Sequence, residues 1–166
     1  MQVPVTAPSP YANPEHDPNI TQKKYDEILV TLKKLKGRLP HLQKETNRLA
    51  QNGDFSENVE YSIAKGKLRG TNRRVLELES QLLLAKIIKP KKNAKVIKIG
   101  HVVDLKIDGV EKTYTILGSS EIDATKNIIS YQSPLGSSLI GKNLGEKFKI
   151  ELGRKTKEIE ILKIYC

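Results

Sequence analysis

Two carboxylates, Asp54 and Glu57, stand three residues apart in the run Asn52-Gly53-Asp54-Phe55-Ser56-Glu57-Asn58. Close acids repel, so outside a core they become useful when something positive arrives, and Mg²⁺ prefers hard oxygen ligands of this kind. The same residues have a plainer use. Ser56 can cap a helix whose first turn holds the acids at 57 and 60, and on local chemistry that reading outweighs a metal role. A second group is basic: Lys65, Lys67, Arg69, Arg73 and Arg74 follow the acids, with Lys44 and Arg48 before them. A basic face on a coiled coil is commonly a solvated face, a reading that carries about half the weight here. The fifteen Lys and Arg against eight Asp and Glu in residues 20–90 favour contact with phosphate or an acidic protein groove. His16, His41 and His101 are isolated and share no metal-ligand spacing. No nucleophile elbow, P-loop or dinucleotide fingerprint is present.

The elements that must hold these residues follow from periodicity. Tyr25, Ile28, Leu32, Leu35, Leu39, Leu42, Thr46 and Leu49 alternate spacings of three and four, as do Tyr61, Ala64, Leu68, Thr71, Val75, Leu78, Leu82 and Ala85. Facing residues of an antiparallel pair have numbers with a constant sum, and each of these eight layers, from 49 with 61 to 25 with 85, gives 110. The pattern predicts an antiparallel coiled-coil hairpin over 19–90 with the two carboxylates at its tip. Arms of about 30 residues would be about 45 Å long at 1.5 Å per residue. Asn52-Gly53-Asp54 marks the turn, Pro40 should bend the first arm, and Pro90 should end the second. Gly66 and Gly70 soften the second arm.

Beyond a basic linker at 91–95, within the run Lys89–Lys98, the pattern turns to β. Strands are expected at Val102–Ile107, Lys112–Leu117, Ile128–Tyr131, Glu146–Leu152 and Lys157–Ile164, with a short helix from Ser133-Pro134-Leu135 to Ile140. Asp108-Gly109 signals a hairpin. The chain is therefore read as α+β, with a small C-terminal domain over 96–166. Residues 1–18 carry five of the eight prolines and a net charge of −2, and read as a disordered tail.

Composition limits the rest. The 166 residues carry a net charge of +10, which points to a polyanionic partner. The single cysteine, Cys166, suits a reducing compartment, and no leader or membrane-spanning run is recognisable, so a cytoplasmic location is expected.

The stretch Gly53-Asp54-Phe55-Ser56-Glu57-Asn58-Val59-Glu60-Tyr61 resembles the G-D-[LF]-S-E-N-x-[DE]-Y signature of the bacterial Gre transcript-cleavage factors. Pro40 matches the proline of the family's R-P pair, with Leu39 in place of the arginine. Ser133-Pro134-Leu135 and Leu139-Ile140-Gly141-Lys142 match its C-terminal pattern, and the likeness runs over about residues 20–164. Lys65, Lys67-Leu68-Arg69 and Arg73-Arg74-Val75 look more like the GreB helix, whereas the C-terminal pattern is closer to GreA.

The resemblance implies an FKBP-like C-terminal domain that docks at the rim of the RNA polymerase secondary channel. The hairpin would enter the channel, into which backtracking extrudes the RNA 3′ end. Asp54 and Glu57 would help hold the second Mg²⁺ of the polymerase's own catalytic centre, with no cofactor bound to the factor alone. Ser56 and Asn58 would position the tip. Lys65, Lys67, Arg69, Arg73 and Arg74 would contact RNA or channel, and Gln132, Ser133 and Pro134 would serve docking, Gln132 standing where GreB-type members carry an acid. Such a protein is not an enzyme, does not engage membranes and is expected to be monomeric. The alternatives are a channel-binding inhibitor of the same fold that does not activate cleavage, and, with less support, a coiled-coil chaperone with prolyl isomerase activity.

Overall fold

The computed structural model describes residues 17–51, 58–92, 94–153 and 155–166. The elements run in the order β1 (Asn19–Ile20), α1 (Gln22–Ala50), α2 (Val59–Leu84), β2 (Lys86–Ile87), β3 (Val102–Ile107), β4 (Val110–Leu117), β5 (Ile128–Ser130), α3 (Pro134–Leu139), β6 (Lys147–Leu152) and β7 (Lys155–Tyr165). Two compact units result: Tyr25–Leu84 falls in one, and Asp17–Lys24 with Ala85–Cys166 in the other.

In the first unit, α1 and α2 form an antiparallel hairpin of 29 and 26 residues, about 43 and 39 Å of helix at 1.5 Å per residue. All sixteen seam residues are buried or half-buried, whereas almost every other residue of α1 is exposed. Ile28, Leu32, Thr46 and Leu49 are the buried members on α1, and Ala64, Val75 and Leu78 are those on α2. Two cross-helix contacts bracket the expected register. Asn58 Nδ2 donates to the Leu49 carbonyl at 3.2 Å, and Lys36 pairs with Glu79 at 2.5 Å, so the partners' numbers sum to 107 and 115. The polar seam member Thr46 returns its hydroxyl to the Leu42 carbonyl at 2.7 Å, so its burial leaves no donor stranded.

Some local expectations give way to tertiary demands. The helix α1 continues unbroken through Pro40, which is exposed, so the carbonyl deprived of a partner one turn back can turn to water. The helix α2 ends at Leu84, before Pro90, because the chain at 86–88 is recruited into a parallel pairing with β1. Lys86 N donates to the Pro18 carbonyl at 2.7 Å and Ile88 N to the Ile20 carbonyl at 2.9 Å. Ala85, expected as a seam residue, thus lies just beyond the helix.

Gly66 and Gly70 remain inside α2, and a Cβ added at either meets nothing within 4 Å. Each glycine costs about 1 kcal/mol relative to alanine in a helix interior. The Gly66→Ala/Gly70→Ala double variant is therefore expected to be about 2 kcal/mol more stable in urea unfolding followed by helical circular dichroism. An unchanged or lower midpoint would show that the glycines relieve a contact instead.

In the second unit five strands form one sheet in the order β5-β4-β3-β7-β6. Strands β3, β4, β7 and β6 pair antiparallel, and β5 joins β4 in parallel. The strand expectations hold to within two residues at each end. Alternation along β3 puts Val103, Leu105 and Ile107 in the core with Ile116, Ile159 and Ile161, and Leu139 of α3 closes it. Each such side chain, fully buried, stabilises the fold by about 1.5–3 kcal/mol. A register shift in the β3–β7 pairing between Asp104 and Leu105 keeps Ile159, Ile161 and Ile164 against the core on both sides of an irregularity.

The tail reading over 1–18 also needs a correction at its end. Asp17 is buried, its Oδ1 accepting from Asn19 N and Asn19 Nδ2 at 3.0 Å and from the Tyr131 hydroxyl at 3.3 Å. Its Oδ2 accepts from Ser119 N at 2.9 Å. A buried carboxylate satisfied by four donors pins the chain at Asp17, and no proline in the run before it changes that. Next along, Thr21 caps α1 by accepting from Lys24 N at 3.2 Å, while its own N–H and hydroxyl donate to the Glu121 carboxylate at 2.8 and 2.5 Å.

Candidate functional site

The segment that carries the acids connects, in sequence, the ends of two helices. Asp54, Ser56 and Glu57 lie outside the described residues; what is defined is the seat they spring from. Gln51 closes α1 with a turn, its N–H donating to the Arg48 carbonyl at 3.3 Å. Asn58 then opens α2: its Oδ1 accepts from Tyr61 N at 2.9 Å, the geometry of an N-cap, and its Nδ2 reaches back to the Leu49 carbonyl. One side chain therefore satisfies an orphan donor at the start of α2 and an orphan acceptor at the end of α1.

Asn58 occupies the cap of α2, and Glu60 is the acid of its first turn. The expected cap Ser56 and the acid Glu57 lie outside the described residues. Asparagine is among the best N-cap residues, and its position three before Tyr61 was the signal available. Asn58→Ala is expected to destabilise the hairpin by about 1–2 kcal/mol, since it strips the cap and unties Leu49. Urea unfolding beside Asn58→Asp checks the division: aspartate keeps the cap but cannot donate to Leu49, and should fall between. Equal losses in both variants would mean that the cap contributes nothing.

The basic residues of α2 are exposed but do not form one face. At about 100° per residue, Lys65, Arg69 and Arg73 advance from one flank of the seam to the back of the helix, while Lys67 and Arg74 project from the other flank. Lys65 Nζ lies 5.4 Å from the Tyr61 ring centroid. Arg73 Nε and Arg74 Nη1 share Glu77, at 3.5 and 3.0 Å. Such exposed pairs are weak and leave both guanidiniums able to exchange partners. A phosphate strand along the tip end of α2 would thus meet cations on either side of it.

In the C-terminal unit the turn before α3 is built around Ser133. Its Oγ donates to the Ser130 carbonyl at 2.7 Å and accepts from Gly136 N at 3.0 Å, capping a helix whose first residue is Pro134. Ser133 is therefore engaged within the fold, and Gln132 and Pro134 are the exposed members of the trio. Gln132 Nε2 donates to the Tyr131 hydroxyl at 3.1 Å, the same hydroxyl that meets Asp17, which ties the exposed amide to the pinned N-terminal segment. Sequence reasoning missed this link because its partners are 114 positions apart. Lys142, in the Leu139–Lys142 motif, donates to Glu146 at 2.6 Å and lies over the Phe148 ring at 4.9 Å. That hydrogen bond, followed by one from Asn143 N, holds the Glu146 carboxyl below its usual range.

His101 is buried and works as a structural staple, its Nδ1 accepting from Lys98 N at 3.1 Å and its Nε2 facing the Lys91 carbonyl at 3.2 Å. Among the described residues no cluster of three or more metal-ligating side chains occurs, and no helix is long and apolar enough to cross a membrane.

A long helical hairpin followed by a small five-stranded domain sets the architectural class. Residues 19–87 match the family model "Transcription elongation factor, N-terminal", and residues 91–165 match "Transcription elongation factor, GreA/GreB, C-term". The chain belongs to the GreA/GreB family of transcription elongation factors. It is 36% identical over 148 residues to the transcription elongation factor GreA of Jannaschia sp., covering 87% of this chain and 95% of that one. It is also 36% identical to GreA of Nautilia profundicola over 154 residues, 90% and 94% of the two chains. A solved structure, the GreA factor homolog 1 of Thermus thermophilus, aligns over 89% of this chain and 98% of that one at 23% identity with a TM-score of 0.40.

Proposed function

We propose that this protein is a transcript-cleavage factor, which enters the secondary channel of RNA polymerase and stimulates the polymerase's own hydrolysis of backtracked RNA. The observation that carries the reading is the seat of the acidic turn: Asp54 and Glu57 belong to the segment between two long helix ends that Asn58 ties together. A helix of about 40 Å gives the reach needed to deliver side chains deep into another machine.

Asp54 and Glu57 supply hard carboxylate oxygens of the kind Mg²⁺ takes, and would share the ion of the polymerase centre. When bound, that ion lowers the pKa of a coordinated water and so supplies the nucleophile. The factor holds none of this chemistry complete by itself and needs no resident cofactor. Lys65, Lys67, Arg69, Arg73 and Arg74 flank the path of the extruded RNA 3′ end. Gln132 and Pro134 offer the exposed contacts for docking at the channel rim, and Ser133 fixes their geometry. The FKBP-like domain anchors the complex while the coiled coil does the reaching, and a monomer suffices.

The test is a stalled, backtracked elongation complex carrying 5′-labelled RNA. Shortening of the transcript on addition of the protein, and resumed elongation after nucleotides are supplied, is the expected result. Binding that leaves the RNA at full length would overturn the proposal in favour of a channel-blocking inhibitor.

A further inference from the structure

Gln132 is exposed, yet both its backbone and its side chain are held. Tyr131 N donates to the Leu117 carbonyl at 3.0 Å, and Gln132 N donates to Ser130 Oγ at 3.0 Å. The Gln132 amide meets the Tyr131 hydroxyl, and the protons available there decide which end of the amide turns inward.

Those protons are set by Asp17. An ionised carboxylate only accepts, and this one, buried, already takes Asn19 N, Asn19 Nδ2 and Ser119 N. The single proton of the Tyr131 hydroxyl therefore goes to Asp17 Oδ1, at 3.3 Å. Two lone pairs remain on the phenol oxygen. Asn19 Nδ2 donates to one at 3.3 Å, and Gln132 Nε2 donates to the other at 3.1 Å. A reversed amide would set Oε1 against a lone pair with no proton between them. The end of Gln132 left for a partner is thus Oε1, an acceptor.

The Tyr131 ring packs against the core of the sheet, so the hydroxyl has a firm mount. The strap that brings Asp17 to it passes Gly118, where a Cβ would lie 2.1 Å from the Asn19 carbonyl oxygen. On the reading of Gln132 as a docking residue, we propose that Tyr131 and Asp17 are positioning residues for docking. They hold Gln132 as a preset acceptor, which selects a hydrogen-bond donor on the polymerase. Glutamine is rotamer-rich, and ordering such a side chain at an interface weakens binding by about three- to tenfold. The Tyr131 hydroxyl does that ordering in advance.

The test is a double-variant cycle on the full-length protein, read as affinity for a stalled elongation complex in competition with labelled parent. Tyr131→Phe deletes the hydroxyl and leaves Asp17 its three N–H donors. It should weaken docking about three- to tenfold, while the cleavage rate at saturating protein stays parental. In a Gln132→Glu background either side-chain oxygen accepts, so adding Tyr131→Phe should change affinity by less than about twofold. The same loss in both backgrounds would make the hydroxyl merely structural and overturn the proposal. Parental affinity in Tyr131→Phe, with Gln132→Ala impaired, would overturn it too and leave the docking reading standing. Parental affinity in Gln132→Ala would remove the docking reading and the positioning role together. A protein that docks without cleaving leaves the cycle readable, since affinity alone is compared. One further measurement needs no variant: isotope-labelled protein should show nuclear Overhauser contacts from the Gln132 amide protons to the Tyr131 ring. Their absence would overturn the preset amide.

Discussion

Asp54→Ala and Glu57→Ala are each expected to slow transcript shortening on a backtracked elongation complex by about 100-fold or more, the usual loss when a group acting on the reacting water or its proton is removed. Both residues fall in the sequence between the helix ends joined by the Asn58 bridge, and neither belongs to the sixteen seam positions. Truncating either therefore leaves the hairpin core and the C-terminal unit intact. Competition against the unmodified protein for the same complex should show nearly parental affinity, since two small carboxylates add little to the contact area. If the loss arises from weaker hold on the metal, raising Mg²⁺ should restore part of the rate. Full activity in both variants would remove the carboxylates from the mechanism. Parallel loss of binding and rate would turn them into docking residues.

The second large effect concerns stability. A Cβ on Gly136 would lie 2.0 Å from the Ser130 carbonyl oxygen and 2.9 Å from its carbon, both backbone atoms, and 3.0 Å from Ser133 Oγ. The carbonyl also accepts from Ser133 N and Oγ, so it cannot swing away without losing both bonds. Gly136→Ala is expected to destabilise the C-terminal unit by about 3 kcal/mol, the upper range for overpacking at a site that cannot yield. It should also displace Gln132 and Pro134, weakening any docking that uses them. Urea unfolding checks the first effect, with Gly37→Ala as control, because a Cβ there meets nothing within 4 Å. An unfolding midpoint no lower than that of the control would mean that the turn is far more compliant than its contacts indicate.

These two sites differ in how far they can be read without coordinates. The arms that flank the acids were legible because their meaning is local and periodic: sixteen seam residues with a constant pairwise sum define two helices, and Asp54 and Glu57 fall between them in the sequence. The strands of the second unit were legible for the same reason, since alternation with Asp108-Gly109 between two of them reports one buried face. The cap of α2 was less legible, since the Asn58 side chain that forms it also bonds a partner on the other helix, the Leu49 carbonyl.

Hydrophobic spacing alone determined that this chain folds as a long helical hairpin followed by a small α+β domain, and where the acids fall between the helices. Burial along a helix or strand repeats with the element's own period, and that repeat is written in the order of residues. Tertiary structure alone decided that Asp17 is pinned beside Tyr131, that α2 stops six residues short of Pro90, and that His101 draws Lys91 and Lys98 together. The first two depend on hydrogen-bonding groups meeting partners far away in sequence, and the third on a ring that the fold buries beside partners three and ten positions away. Such bonds follow from which buried polar atoms need satisfying once the core has closed, and no local pattern records that need.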